Sequence, residues 1–336
     1  MTKNIIVPTF ACAALPAPAI DEAGFDAKYQ QKVRPWFDGA LTRGELRAAD
    51  GIRLRWFALE SPSERAALVV LPGWTETGES FAEELYDLRD LGLSFYVLDH
   101  RGQGLSEGEL QPRDRYYLKN WQSYMSDTDL FFEKVVNARP HRRILLYGNS
   151  MGGAIATAFL ARHPGAAQSL VLTVPMFGVR TVPLPVLAVT TTARLYTFFG
   201  KGAAYLPGYG PYRREPFDGN AWAITSRARY EQLDRLQESR AEYQMGGATA
   251  RGGLELVRLG KAALEAAGRV EVPVLLVQAG REHVVRNDAQ DKAAKSMRDC
   301  RTVVVEEAHH VIMHEIDAVR GQALAAIRSF IAEQVH

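Results

Sequence analysis

Residues 143–153 read Arg-Ile-Leu-Leu-Tyr-Gly-Asn-Ser-Met-Gly-Gly, and the reading of this stretch decides the fold. A short apolar run ends in Gly148-Asn149-Ser150-Met151-Gly152 and passes into Gly153-Ala-Ile-Ala-Thr-Ala-Phe-Leu-Ala, whose composition is helical. The order is strand, sharp turn, helix, with a serine at the apex. A hydroxyl is a weak nucleophile, so it must be held clear of the helix and within reach of a base. The flanking glycines have a physical reason, because so tight a turn needs positions without Cβ for unusual dihedrals and close strand–helix approach. The bare G-x-S-x-G pattern also arises by chance in chains of this length. Its placement after an aliphatic run and before an Ala-rich helix that runs to His163-Pro164 separates it from a glycine-rich turn with an incidental serine.

The same rhythm extends on both sides. Asp50-Gly51 marks a hairpin between Gly44-Glu-Leu-Arg-Ala-Ala and Ile52-Arg-Leu-Arg-Trp-Phe. Ala66–Leu71 and Ser94–Leu98 read as buried strands, with helical spacing from Glu79 to Leu91 between them and a stop at Gly92. A helix is expected over about 120–137, strands over Gln168–Val174, Val272–Gln278 and Arg301–Val305, a helix near 287–298 and a terminal helix from Asp317. Strands alternating with helices predict a mainly parallel central sheet covered by helices on both faces. In such a sheet, ligand-binding and reacting groups sit beyond the carboxyl ends of the strands. From Pro175 to about Arg269 the rhythm stops, and helices near 186–199, 221–243 and 253–267 read as an inserted helical cap. The expected division is an N-terminal extension over 1–40, a core of 41–174 and 270–336, and a cap or lid over 175–269. The cap aromatics, Phe177, Tyr196 and Trp222 foremost, are candidates for an apolar substrate pocket, against the plainer reading that they pack the cap onto the core.

Composition excludes several classes. With 336 residues, 47% apolar, 24% charged and a net charge of +1, the chain is an ordinary globular protein without a basic block for nucleic acid. Its 2 cysteines, Cys12 and Cys300, make no disulfide framework and fit a reducing compartment, so a cytoplasmic protein is expected. The segment from Asn4 to Ala19 has a secretory flavour, but Pro8 and Pro16 interrupt it and its positive region is one lysine. No run of about 18 apolar residues predicts a membrane-spanning helix.

A serine nucleophile needs a base, an orienting acid and oxyanion donors. His309 and His310 both follow the last strand closely enough to lean over Ser150, and spacing alone leaves them both open. His163 lies at the far end of the elbow helix and His336 at the terminus. Glu282 lies just past the Val272–Gln278 strand and is the expected acid; the rival, Asp288, looks like part of a helix cap. Oxyanion donors are expected from the backbone of Met151, after the nucleophile, and of Trp74, in the turn after Leu71. Asp99 and Arg101 also follow a strand but precede the nucleophile, and are read as support for the site.

Five blocks together resemble the α/β-hydrolase superfamily, and within it the bacterial lysophospholipase/monoacylglycerol lipase group: Pro72-Gly-Trp-Thr-Glu76, Asp99-His-Arg-Gly-Gln-Gly-Leu-Ser106, Gly148-Asn-Ser-Met-Gly-Gly153, Val277-Gln-Ala-Gly-Arg-Glu-His-Val-Val285 and Ala308-His-His310. The resemblance covers about residues 65–330 and selects His310 over His309. It implies Ser150, Glu282 and His310 as a catalytic triad that cleaves an amphiphilic lipid ester through an acyl-enzyme, with no metal or cofactor. Two departures matter. Pro72 stands where monoacylglycerol lipases usually carry His, and Glu282 stands where they usually carry Asp; both lean towards lysophospholipids. Such a substrate implies peripheral contact with the inner membrane. Arg213, Arg214, Arg227 and Arg229 could meet a phosphate head group, against the plainer reading of surface ion pairs. The rivals are a monoacylglycerol lipase, a general carboxylesterase or lactonase, an aminopeptidase-like hydrolase and, from another class, a non-catalytic binding protein on the same fold.

Overall fold

The computed structural model describes residues 18–111, 113–181, 183–217 and 223–335. Strands β1 (Leu41–Arg47) and β2 (Arg53–Leu59) form the expected hairpin, whose turn is closed by Gly51 at φ +88°, a backbone region suited to glycine. Next come β3 (Ala66–Leu71), β4 (Leu93–Leu98), β5 (Ile144–Asn149), β6 (Ser169–Thr173), β7 (Val274–Ala279) and β8 (Cys300–Val305). Among the described residues these make an 8-stranded sheet of order 1-2-4-3-5-6-7-8. The first two pairings, β1 with β2 and β2 with β4, are antiparallel, and all others are parallel. β3, β4, β6 and β7 are buried along their whole length, which is why they read as continuous apolar runs rather than alternating ones.

In chain order the helices are α1 (Phe25–Lys28), α2 (Arg34–Ala40), α3 (Ala82–Leu88), α4 (Gln122–Lys134), α5 (Met151–Leu160), α6 (Val186–Phe198), α7 (Arg227–Glu238), α8 (Ala250–Ala266), α9 (Asn287–Ser296) and α10 (Asp317–Gln334). The strands' alternate side chains divide between two cores. Val69 and Leu71 of β3 join Phe131 of α4, Ile155 of α5, Leu259 of α8 and Ala293 of α9. Leu68 and Val70 of the same strand join Phe37 of α2, Leu85 of α3 and Ile327 of α10. The sheet is thus covered on both faces, as expected.

Two segments bear on the expected division. In the N-terminal extension, α1, a π-helical turn at Tyr29–Val33 and α2 follow without a break, and Ile20, Phe25, Tyr29, Val33 and Phe37 are all buried in the second core. Fully burying one such aromatic contributes about 2–3 kcal/mol, so several of them hold the segment to the sheet. The secretory-flavoured stretch up to Ala17 lies outside the described residues. At the other end of the cap, α8 packs against α5 as well as against cap helix α6. Glycines let α8 approach core loops closely. A Cβ on Gly252 would lie 2.6 Å from the Tyr116 carbonyl oxygen, and one on Gly260 would lie 2.9 Å from that of Met176. α8 therefore packs on both the cap and the core layer.

Candidate active site

The turn between β5 and α5 is strained where function would need it. Ser150 has φ +47° and ψ −111°, a region costly for a residue with a side chain. Neighbours over-determine it: the Ser150 N–H donates to the Thr173 carbonyl at 2.9 Å, and its own carbonyl accepts from Met176 N–H at 2.9 Å. A Cβ on Gly152 would overlap the Leu71 carbonyl oxygen, and one on Gly148 would sit 2.6 Å from the Gly152 carbonyl oxygen. The flanking glycines are thus required by the crossing of strand and helix.

Glu282, in the loop after β7, and His310, in the loop after β8, converge on this serine. His310 Nε2 lies 3.0 Å from Ser150 Oγ, and its Nδ1 lies 2.8 Å from Glu282 Oε2. The other carboxylate oxygen, Oε1, accepts the N–H groups of Val284 at 2.7 Å and Val285 at 3.2 Å. Burial alone would raise the Glu282 pKa; the bond to His310, its charge and the two N–H groups outweigh burial and hold the carboxyl below its ordinary 4.5. The rivals fall elsewhere. Asp288 is exposed and pairs with Arg286, while His309 turns away and pairs with Glu315 at 2.9 Å.

The turn after β3 faces the elbow. Glu76 accepts the Gly73 N–H on one oxygen and Asn149 Nδ2 at 2.8 Å on the other, tying this turn to the residue before Ser150. Burial, the largest influence, pushes its carboxyl above the ordinary value in spite of both donors. Thr75, at φ +69°, donates its N–H to Gln103 Oε1 at 2.6 Å. The Trp74 N–H between them makes no hydrogen bond found among the described residues, and Met151 opens α5, where N–H groups lack helical partners. The Asp99–Ser106 loop lies behind. Asp99 accepts the N–H groups of Gly78 at 2.7 Å and Leu105 at 2.8 Å, and Arg101 pairs with Asp127 at 2.6 Å, so neither touches Ser150.

Ser150, His310, Trp74 and Glu76 open onto a cavity of about 690 Å³ between core and cap. That volume suits a single ligand of moderate size. Most of its wall is apolar, including Met176, Val179, Leu184, Val189, Leu206, Leu256 and Val257. The aromatics expected there are not. Phe177 is 2% exposed and packs in the first core. Tyr196 lies against the small cluster of Ala193, Leu206, Ala250 and Leu254. Neither lines the cavity: α6, which carries Tyr196, offers it Val189 and Thr192 instead, and Phe177 lies after β6 beside Gly260 of α8. Trp222 lies outside the described residues.

The cap arginines also divide. Arg229 is fully buried against Glu83 and Asp317, Arg214 pairs with Asp234 and Arg227 with Glu231, so these three serve ion pairs. The sequence reading missed Arg180, Ser80, Gln237 and His314, which do line the cavity. Arg180 donates to the Glu282 carbonyl at 2.7 Å. Burial, followed by the charges of Arg320 and Arg229, lowers the His314 pKa to about 3 and keeps it neutral. Of the polar lining, Glu76 carried a signal beforehand, as the last residue of a quoted block.

The chain is similar to known proteins over most of its length. A family model described as serine aminopeptidase, S33, matches residues 62–317. Lysophospholipase L2 of Escherichia coli (strain K12) is 33% identical over 295 residues, covering 85% of this chain and 86% of that protein. Monoglyceride lipase of Mus musculus is 25% identical over 277 residues, covering 82% and 85%. A solved carboxyl esterase from Bacillus coagulans superimposes with a TM-score of 0.69 at 15% identity, over 88% of this chain and 99% of that one, a likeness of fold. The strained serine elbow, the order of the groups converging on it and the match over most of its length agree: the chain belongs to the serine aminopeptidase S33 family, within the lysophospholipase and monoacylglycerol lipase group of the α/β-hydrolases.

Proposed function

We propose that the protein is a serine hydrolase that cleaves the carboxylic ester of a lysophospholipid through an acyl-enzyme. The observation that carries this reading is the Glu282–His310–Ser150 chain, with contacts of 2.8 and 3.0 Å, opening on an apolar-walled cavity. Ser150 Oγ attacks the ester carbonyl carbon while its proton passes to His310 Nε2, and Glu282 orients the ring and stabilises the imidazolium. The N–H groups of Met151 and Trp74 receive the developing oxyanion. His310 then protonates the departing alcohol, and in the second half it takes a proton from water, which attacks the acyl-enzyme and releases the fatty acid. The names of the E. coli and mouse relatives support an amphiphilic ester as substrate.

A second reading, monoacylglycerol hydrolysis, is favoured by one feature of the cavity. Glu76, Ser80 and Gln237 offer hydrogen bonds to a glycerol, while Arg180, the arginine of the lining, is engaged with the Glu282 carbonyl. Turnover of lysophosphatidylethanolamine, monoacylglycerol and a short p-nitrophenyl ester, each compared with Ser150→Ala, separates these readings. The variant is expected to lose several orders of magnitude on every ester while melting like the parent. Faster hydrolysis of monoacylglycerol than of the lysophospholipid would select the second reading, and undiminished hydrolysis by Ser150→Ala would reject both.

The protein is further proposed to act at the cytoplasmic surface of the inner membrane. Among the described residues, no helix is long and apolar enough to cross a membrane. α6 and the residue that follows it instead present Leu187, Phe198 and Phe199 at 74%, 83% and 70% exposure, with Leu184 leading into the cavity. Such a patch on a soluble fold marks a contact surface. Phe198→Ser with Phe199→Ser should abolish flotation with phosphatidylglycerol-containing vesicles and spare short-ester turnover. Unchanged flotation would reject this surface.

A further inference from the structure

The histidine not used as base, His309, leads to a second device. Its backbone N–H and its Nδ1 both meet Glu315 Oε1, at 2.6 and 2.9 Å. The other oxygen, Oε2, accepts the N–H of Thr225 at 3.0 Å and also the Thr225 hydroxyl. Thr225 belongs to the cap, immediately before α7, whereas His309 adjoins His310. The Glu315 side chain is 0% exposed, so one buried carboxylate is shared between the cap and the histidine loop. The same two segments meet twice more: Val311 N–H donates to the Ala223 carbonyl at 3.1 Å, and Arg229 of α7 donates to the Glu315 carbonyl at 2.9 Å.

We propose that Glu315 is a positioning residue that couples His310 to the seated cap. The inference rests on His310 acting as the base. Lifting the 223–229 segment would strip Oε2 of its donors and leave a buried charge half-paired, which is unfavourable unless the side chain moves. Because Oε1 of the same carboxylate fixes the backbone of His309, that movement is passed to the ring of His310. A seated cap thus holds the base at Ser150, and an open cap loosens it. Turnover is thereby tied to closure over a bound acyl chain, when water has been displaced from the cavity.

The test uses the full-length protein and a soluble ester, p-nitrophenyl butyrate, so that membrane contact plays no part. Wild type, Thr225→Val, Thr225→Ser, Glu315→Gln and the double variant Thr225→Val/Glu315→Gln are compared for kcat, KM and melting temperature. Thr225→Val is expected to lower kcat about 5- to 10-fold with KM within about twofold, since the serine-to-base geometry is disturbed and binding is not. Thr225→Ser keeps the hydroxyl and should restore kcat. Glu315→Gln should lower kcat about 10- to 100-fold, and the double variant should be no slower than Glu315→Gln, because both changes cut one connection. Wild-type kcat in folded Thr225→Val would overturn the coupling, as would losses that multiply in the double variant. If Glu315→Gln does not fold, the Val and Ser variants at position 225 decide the matter by themselves. A wild type that hydrolyses no ester would overturn the esterase reading, and the coupling with it.

Discussion

The elbow and the cap are held by different physics. Around Ser150 the backbone itself is the constraint: strands are buried end to end, and glycines are placed where a Cβ would strike a carbonyl. The α7 side of the cap is held by charge. Arg229, fully buried in α7, binds Glu83 of α3 and Asp317 of α10, while α6 and the residue that follows it carry exposed phenylalanines. A region fixed by packing has one arrangement, whereas a region fixed by a few ion pairs can come off as a unit. The difference suits a hydrolase whose reacting groups must stay in register while its substrate enters between two layers.

The comparison can be broken at several points. The largest effect is expected at the elbow: Gly152→Ala places a methyl on the Leu71 carbonyl oxygen, and should cost about 3 kcal/mol or more and abolish activity. Urea unfolding with an activity assay measures both. Arg229→Met should cost about 3–5 kcal/mol, because it removes the buried partner of Glu83 and Asp317. Limited proteolysis should then cut the cap before the sheet; simultaneous loss of both would show that the two regions are not independently held.

A smaller effect lies in the pH dependence of stability. Glu84, on α3 beneath the sheet, has its pKa raised by burial to about 8 from 4.5. The folded state therefore binds a proton that the unfolded state releases, so stability falls as pH rises from about 4.5 to about 8 and then levels. Glu84→Gln should flatten that slope in melting curves taken across the window. Glu282 works in the opposite sense: with its pKa below 4.5, its stabilising share is present above that value and is lost as pH falls through the lowered one. The smallest change is expected on the cap surface, where Phe198→Ser should alter stability by less than about 0.5 kcal/mol.

Much of the core was legible because local rules and the fold agree there. Ala66–Leu71 is a strand in the sequence and in the structure, and Ser150, Glu282 and His310 each follow a strand in the order that the resemblance implies. What could not be read depends on contacts between distant residues. Phe177 and Tyr196 have the right composition for a pocket, but Phe177 joins the core after β6, and the side of α6 that faces the cavity is set by its docking on α8, which helical spacing does not encode. The packing of segment 25–40, expected only as an N-terminal extension, likewise depends on its buried aromatics meeting α3 and β2. Arg229 carries no local sign of burial, since its partners lie 146 and 88 residues away.

The central claim is that Ser150 is a nucleophile activated by His310. Treatment of wild type and His310→Ala with a fluorophosphonate, followed by peptide mass spectrometry, tests it directly. One adduct per chain on the Ser150 peptide of the wild type, and little or none on folded His310→Ala, is the expected result. Equal labelling of both proteins, or an adduct on another residue, would contradict the account.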